Sequence, residues 1–103
     1  MSDNRRSTRH FVSIAAKITA DGSSVDATIL NISVGGALAS STGKHSMGQR
    51  VDVWFKVPTL DQPIEITATI RWVDSNGIGL QFDGLRARDV WALNEFFKKL
   101  QLP

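Results

Sequence analysis

The chain has 103 residues, 42% hydrophobic and 21% charged, with no cysteine, which describes one small soluble domain with a modest core. Lack of cysteine excludes disulfide staples, a thiolate zinc site and a cysteine nucleophile, and suits a reducing cytosol. The longest hydrophobic run, Val90-Trp91-Ala92-Leu93, is far below the ~18–20 residues that cross a bilayer, and residues 1–10 hold no signal-peptide stretch, so neither membrane insertion nor export is expected. Twelve Lys+Arg stand against ten Asp+Glu, but the excess is uneven. Residues 1–20 carry Arg5, Arg6, Arg9 and Lys17 against Asp3 alone, whereas the rest of the chain is close to neutral. A basic N-terminal arm on a weakly charged body points to a compact anionic partner rather than a long polyanion such as DNA or RNA.

Residues 1–9 are nearly devoid of apolar side chains, which predicts a mobile arm. From His10, Val12, Ile14, Ala16 and Ile18 alternate with Phe11, Ser13, Ala15 and Lys17, the two-residue repeat of a half-buried strand. Asp21-Gly22-Ser23-Ser24 supplies a turn. The next run is predicted to put Thr28, Leu30 and Ile32 on one face and Ile29, Asn31 and Ser33 on the other, before Gly35-Gly36 interrupts it. Ala37-Leu38-Ala39 reads as a third strand and Ser40–Gly48 as a loop. A fourth strand alternates Val51, Val53, Phe55 and Val57 with polar residues and Trp54, and closes at Pro58–Pro63. The fifth turns Ile64, Ile66, Ala68, Ile70 and Trp72 inward, with Trp72 inside or at the rim. Asn76-Gly77 is the expected type I′ hairpin pair before Ile78, Leu80 and Phe82. Val90, Leu93, Phe97 and Leu100 then recur at helical spacing, with Lys98-Lys99 in the last turn, so residues 86–101 are predicted helical. The fold class is all-β: a six-stranded antiparallel β-barrel over 10–83 with one C-terminal α-helix covering an opening, the whole of 1–103 forming a single domain.

Enzyme chemistry finds little support. His10 and His45 lack any metal-ligand spacing, and His45 reads as a solvated loop residue and His10 as a strand-edge one. The acids are scattered singly beside turns or on outward strand faces, and Gly-x-Ser-x-Gly is absent. Gly77-Ile78-Gly79 sits in a hairpin without βαβ context, so it reads as a turn plus close backbone packing. No metal or cofactor is expected.

Two segments remain, Arg5-Arg6-Ser7-Thr8-Arg9 and Asn31-Ile32-Ser33-Val34-Gly35-Gly36. An Arg-x-x-x-Arg arm followed, one strand later, by Asn-x-Ser-x-x-Gly resembles the paired signature of PilZ domains, bacterial receptors for the second messenger cyclic di-GMP. The resemblance continues through Ile66–Val73 and the Gly77–Phe82 hairpin to the final helix. It implies a PilZ-like barrel whose arginine arm closes over the ligand on the outer surface. The chemistry agrees. A guanidinium matches the O6/N7 edge of guanine with two parallel donors and also stacks on purine faces. Arg5 and Arg9 are therefore the expected principal ligand contacts, and Asn31 and Ser33 are expected on one outward face, bonding a base edge or an anchored arginine. Gly36 is expected to leave backbone access for the ligand. Arg6 has two readings, phosphate contact or solvated surface. Arg71 also has two, an approach to the same region or an ordinary exposed strand residue. Many relatives carry Asp at the position of Asn31, and Asn4 lies where family members differ in taking one ligand or a stacked pair.

The function expected is a non-enzymatic, cytoplasmic cyclic di-GMP sensor that signals to an effector protein, its arm ordering on binding. The alternative is a ligand-independent adaptor of the same fold, although such adaptors typically lack the arginine arm. A small-barrel nucleic-acid binder would show a basic stripe with interleaved aromatics, and none is visible. Trp54 and Trp91 fall off the inward patterns, either as partner anchors or as residues covered by barrel curvature or the arm.

Overall fold

A computed structural model of the chain describes residues 9–100. They form β1 (His10–Ala20), β2 (Ser23–Ile32), β3 (Gly36–Ser41), β4 (Arg50–Phe55), β5 (Ile64–Asp74), β6 (Gly77–Phe82) and the helix α1 (Ala87–Leu100). Every strand pairing is antiparallel. The order β1-β2-β3-β6-β5-β4 closes into a barrel when β1 meets β4. The expected six-stranded barrel with one C-terminal helix is thus the observed architecture.

The inward alternation of β1, β4 and the first half of β5 fills the barrel with Ala16, Ile18, Val51, Val53, Phe55, Ile64, Ile66, Ala68 and Ile70. Burial of each large side chain contributes roughly 1.5–3 kcal/mol. The helix adds Ala92, Leu93, Phe96 and Phe97 to the same core, so it plugs the barrel as expected. Thr59 Oγ1 ties it to the β4–β5 loop by donating to the Ala92 carbonyl at 2.6 Å. No helix among the described residues is long and apolar enough to cross a membrane.

Five local expectations are corrected. In β2 the buried residues are Ala27, Ile29 and Ile32, not Thr28, Leu30 and Ile32 as one face. Asn31 pairs with Leu38 while Ile29 pairs with Ala39, so β2 holds an extra residue at Leu30 and its alternation changes parity there. In β5 the same device acts at Arg71: Ile70 pairs with Leu80 and Trp72 with Gly79. The shift puts Trp72 outside the barrel, 40% exposed, instead of inward or at the rim.

The hairpin between β5 and β6 turns on Ser75-Asn76, because Asp74 pairs with Gly77. Asp74 Oδ1 accepts from the Asn76 and Gly77 amides at 2.7 and 3.1 Å, an Asx turn that spares Asn76 a positive φ. The type I′ conformation occurs instead at Asp21 (φ 53°) and Gly22 (φ 81°). Finally, the buried stripe of α1 is Asp89, Ala92, Leu93, Phe96 and Phe97. Val90 is half-buried and Leu100 is exposed, so the predicted stripe is rotated by about one residue. Asp89 overturns the expectation that every acid lies at a turn or on an outward face.

Candidate functional site

A concavity of about 350 Å³ lies on the outer face of the barrel where the start of β1, the β2–β3 turn, β5 and β6 converge. Arg9 and Arg71 line it together with Trp72 and Gln81, and no acidic residue does so among the described residues. Its electrostatics therefore favour an anion.

Arg9 immediately precedes β1 and is held across the surface, with Nη1 donating to Asn31 Oδ1 at 2.7 Å. Asn31 belongs to a cross-strand row, Phe11, Asn31, Leu38, Gly79 and Trp72, that crosses five neighbouring strands. The bulge at Leu30 makes this row possible, because it turns Asn31 outward between the buried Ile29 and Ile32.

Ser33 stands differently from its expected outward pose. It lies past the end of β2 and is 2% exposed. Its Oγ accepts from the Gly35 and Gly36 amides at 3.1 and 3.2 Å, while its own amide donates to the Gly36 carbonyl at 2.8 Å. The hydroxyl thus shapes the floor of the concavity by holding the turn closed. Gly36 also has a tighter reason than ligand access. A Cβ there would stand 3.3 Å from the Leu80 carbonyl carbon and 3.4 Å from Gln81 Cα, with the Leu80 oxygen closer still. Only glycine lets β3 approach β6 this closely.

Of the two readings of Arg71, the structure places it at this concavity. Arg5 and Arg6 lie outside the described residues. Trp72, Gly79 and Gln81 were not identified from the sequence. Gly79 carried a legible signal, since an isolated glycine inside a strand marks close approach by another group. That group is Trp72: a Cβ on Gly79 would meet the indole, with Cδ1 at 2.7 Å and other ring atoms nearer. Gly79→Ala is accordingly expected to lift the indole off β6 and alter its emission, in a protein that still unfolds cooperatively. An unchanged spectrum, with Trp72→Phe serving to isolate this fluorophore, counts against the packing.

A second concavity, of about 430 Å³, lies along the β5–β6 hairpin and includes Ser41, Lys44, His45 and Asp74. His45 is half-buried rather than solvated, with Nε2 2.7 Å from Ser41 Oγ. Burial holds its imidazole below the ordinary pKa. The unfolded chain therefore binds the proton more readily, so this contribution is complete above the ordinary imidazole range and is lost as pH falls through that range toward the lower folded value. Denaturation midpoints measured from about pH 7.5 to 5 are expected to fall, less steeply in His45→Gln. Equal slopes in the two proteins would refute this. Among the described residues no cluster of His, Asp or Glu is arranged to hold a metal.

The sequence matches the PilZ domain family model over residues 3–99. Among solved structures the fold is similar to the Bacillus subtilis inhibitor of motility, MotI/DgrA, with a TM-score of 0.80 and 20% identity, covering 94% of this chain and 51% of that one. It is similar to the PilZ domain of CeSA from a cellulose-synthesizing bacterium, with a TM-score of 0.70 and 19% identity over 90% of this chain and 98% of that one. The Borreliella burgdorferi PlzA protein, solved in complex with cyclic di-GMP, gives a TM-score of 0.65 and 20% identity over 91% of this chain and 36% of that one. The chain thus spans about half of the Bacillus structure and about a third of the Borreliella one. A search of curated proteins returns no match.

Proposed function

We propose that this chain, which belongs to the PilZ domain family, is a non-enzymatic receptor for cyclic di-GMP that passes ligand occupancy to an effector protein. The observation that carries this reading is the concavity flanked by Arg9 and Arg71, free of acids among the described residues and walled by an exposed indole. Cyclic di-GMP presents two guanines and two phosphates as a compact dianion. Arg9 supplies a fork for the guanine O6/N7 edge, and Asn31 keeps that fork over the site. Trp72 offers a flat face for a purine, a contact worth about 1–3 kcal/mol per base where proteins hold single-stranded nucleic acids. Arg71 balances phosphate charge.

In this reading Arg5, and Arg6 where it reaches phosphate, join Arg9 as the arm closes, and the ligand contacts offset the entropy of ordering it. The Ser33–Gly36 turn fixes the floor on which the ligand rests. A partner is then recognised through the changed surface, in the cytoplasm where the messenger is made.

Calorimetric titration of the full chain tests the reading. Saturable binding of cyclic di-GMP, with GMP and GTP at least about tenfold weaker, is expected from a site that reads two guanines in one ligand. Equal affinity for GTP, or no binding of cyclic di-GMP, rejects it and leaves the ligand-independent adaptor as the better account.

A further inference from the structure

We propose that the dipeptide Arg9-His10 carries ligand occupancy through the barrel wall to helix α1. This rests on the receptor reading above and assigns the route by which that site acts on the rest of the molecule.

Consecutive side chains at the start of a strand leave on opposite sides of the sheet. Arg9 leaves outward, lines the concavity and bonds Asn31. His10 leaves toward the interior, where its ring stacks on Phe97 of α1 with centroids 4.1 Å apart and planes inclined by 19°. The two Cα atoms are separated by one trans peptide, about 3.8 Å. The ligand-facing and helix-facing groups are therefore neighbours in the chain, and neither can swing freely while the other is pinned.

The registers explain why the segment transmits a displacement. His10 pairs with Ile32 and Phe11 with Asn31, but the next aligned pair is Ile14 with Ile29. An irregularity thus separates the first two residues of β1 from the continuous ladder beyond it. Phe97 is buried, and it sits beside Phe96 with centroids 6.2 Å apart, so displacement of the His10 ring is felt by the helix face that plugs the barrel.

A ligand shifts such an equilibrium only by its differential affinity for the two arrangements. Here the difference is geometric. With α1 docked, the stack fixes the direction in which Arg9 leaves the strand, and that direction presents the guanidinium to the concavity. With α1 loosened, the Asn31 bond alone holds the fork, and Arg9 loses the constraint that the stack places on its backbone. Cyclic di-GMP gripped by Arg9 consequently favours the docked helix and steadies its outer face, where Trp91 is 56% exposed.

Hydrogen–deuterium exchange of the full chain, with and without cyclic di-GMP, tests the coupling, while calorimetry on the same samples reports binding. In the wild type, ligand is expected to slow exchange of the amides from Leu93 to Lys99 at least about fivefold, the lower end of ordinary coupling between sites. His10→Phe, which restores a stacking ring, keeps the effect. His10→Ala binds ligand but loses the slowing, and Phe97→Leu, which keeps apolar volume without a ring, behaves as His10→Ala does. Ligand binding without slowing in the wild type, or equal slowing in both ring-deleted variants, overturns the route while leaving the receptor reading intact. Absence of heat on adding cyclic di-GMP to the wild type overturns both.

Discussion

Arg9→Ala is expected to weaken cyclic di-GMP binding by roughly five- to 150-fold, the equivalent of the ~1–3 kcal/mol that a bidentate guanidinium contributes to reading guanine. The substitution removes the fork, a stacking surface and one positive charge together, and the other guanidinium of the concavity, Arg71, stands on β5 rather than over Asn31. Arg9→Lys keeps the charge but not the parallel donors, so it is expected to recover only a small part of the loss. Asn31→Ala leaves the fork and removes the 2.7 Å bond that positions it, and its effect should be smaller than that of Arg9→Ala. Because Arg9 is exposed, its removal should leave the thermal midpoint nearly unchanged. Calorimetry and a melting curve on the same preparation separate these effects. Wild-type affinity in Arg9→Ala would sink the assignment of this residue.

The largest expected effect on stability belongs to Asp89→Ala, about 2–4 kcal/mol of unfolding free energy measured by denaturant titration. Asp89 is fully buried in the first turn of α1, where the helix dipole favours a negative charge. Arg86 Nε donates to its Oδ2 at 3.1 Å, and Arg88 Nε stands 3.5 Å from its Oδ1. Arg88 in turn donates through Nη1 to Gln62 Oε1. Removing the carboxylate leaves a void at the helix start and releases both guanidiniums from their anchor. For a domain of this size each ~1 kcal/mol lowers the melting temperature by about 4–8 °C, so a fall of about 8 °C or more is expected. Asp89→Asn retains shape and one acceptor and should fall between wild type and alanine. A loss below about 0.5 kcal/mol, the range of ordinary surface substitutions, would show that the carboxylate anchors nothing.

The two-residue and helical periods were enough to place all six strands and the helix, because burial against a single core imposes those periods on the sequence. They failed where one residue is inserted without changing composition. Leu30 looks like an inward residue in a regular strand, and only the pairing of Asn31 with Leu38 reveals the parity change. The same holds for Arg71 and Trp72. The motif residues were legible as types, yet their roles divided: Asn31 holds Arg9, whereas Ser33 and Gly36 build the turn and the β3–β6 contact. Asp89 could not be read, since nothing in a lone acid near a helix start distinguishes a solvated carboxylate from one enclosed by Arg86 and Arg88, three residues and one residue before it. Gly79 could be read as a tight spot but not as a seat for the Trp72 indole directly opposite it in the ladder, because that depends on the register between β5 and β6.

The closing of β1 on β4 has a bearing on how any effector is chosen. An open sheet can recruit a partner by lending it a strand edge, a mode that relies on backbone groups and discriminates weakly among sequences. This barrel has spent its edges on itself, so an effector must read side chains. The large ones available, Phe11, Trp54 and Trp91, belong to faces the core does not constrain. Under the proposed function, partner choice can therefore drift by single substitutions while the barrel and the Arg9 concavity stay as they are, so that the downstream connection of such a receptor would be written on its exterior.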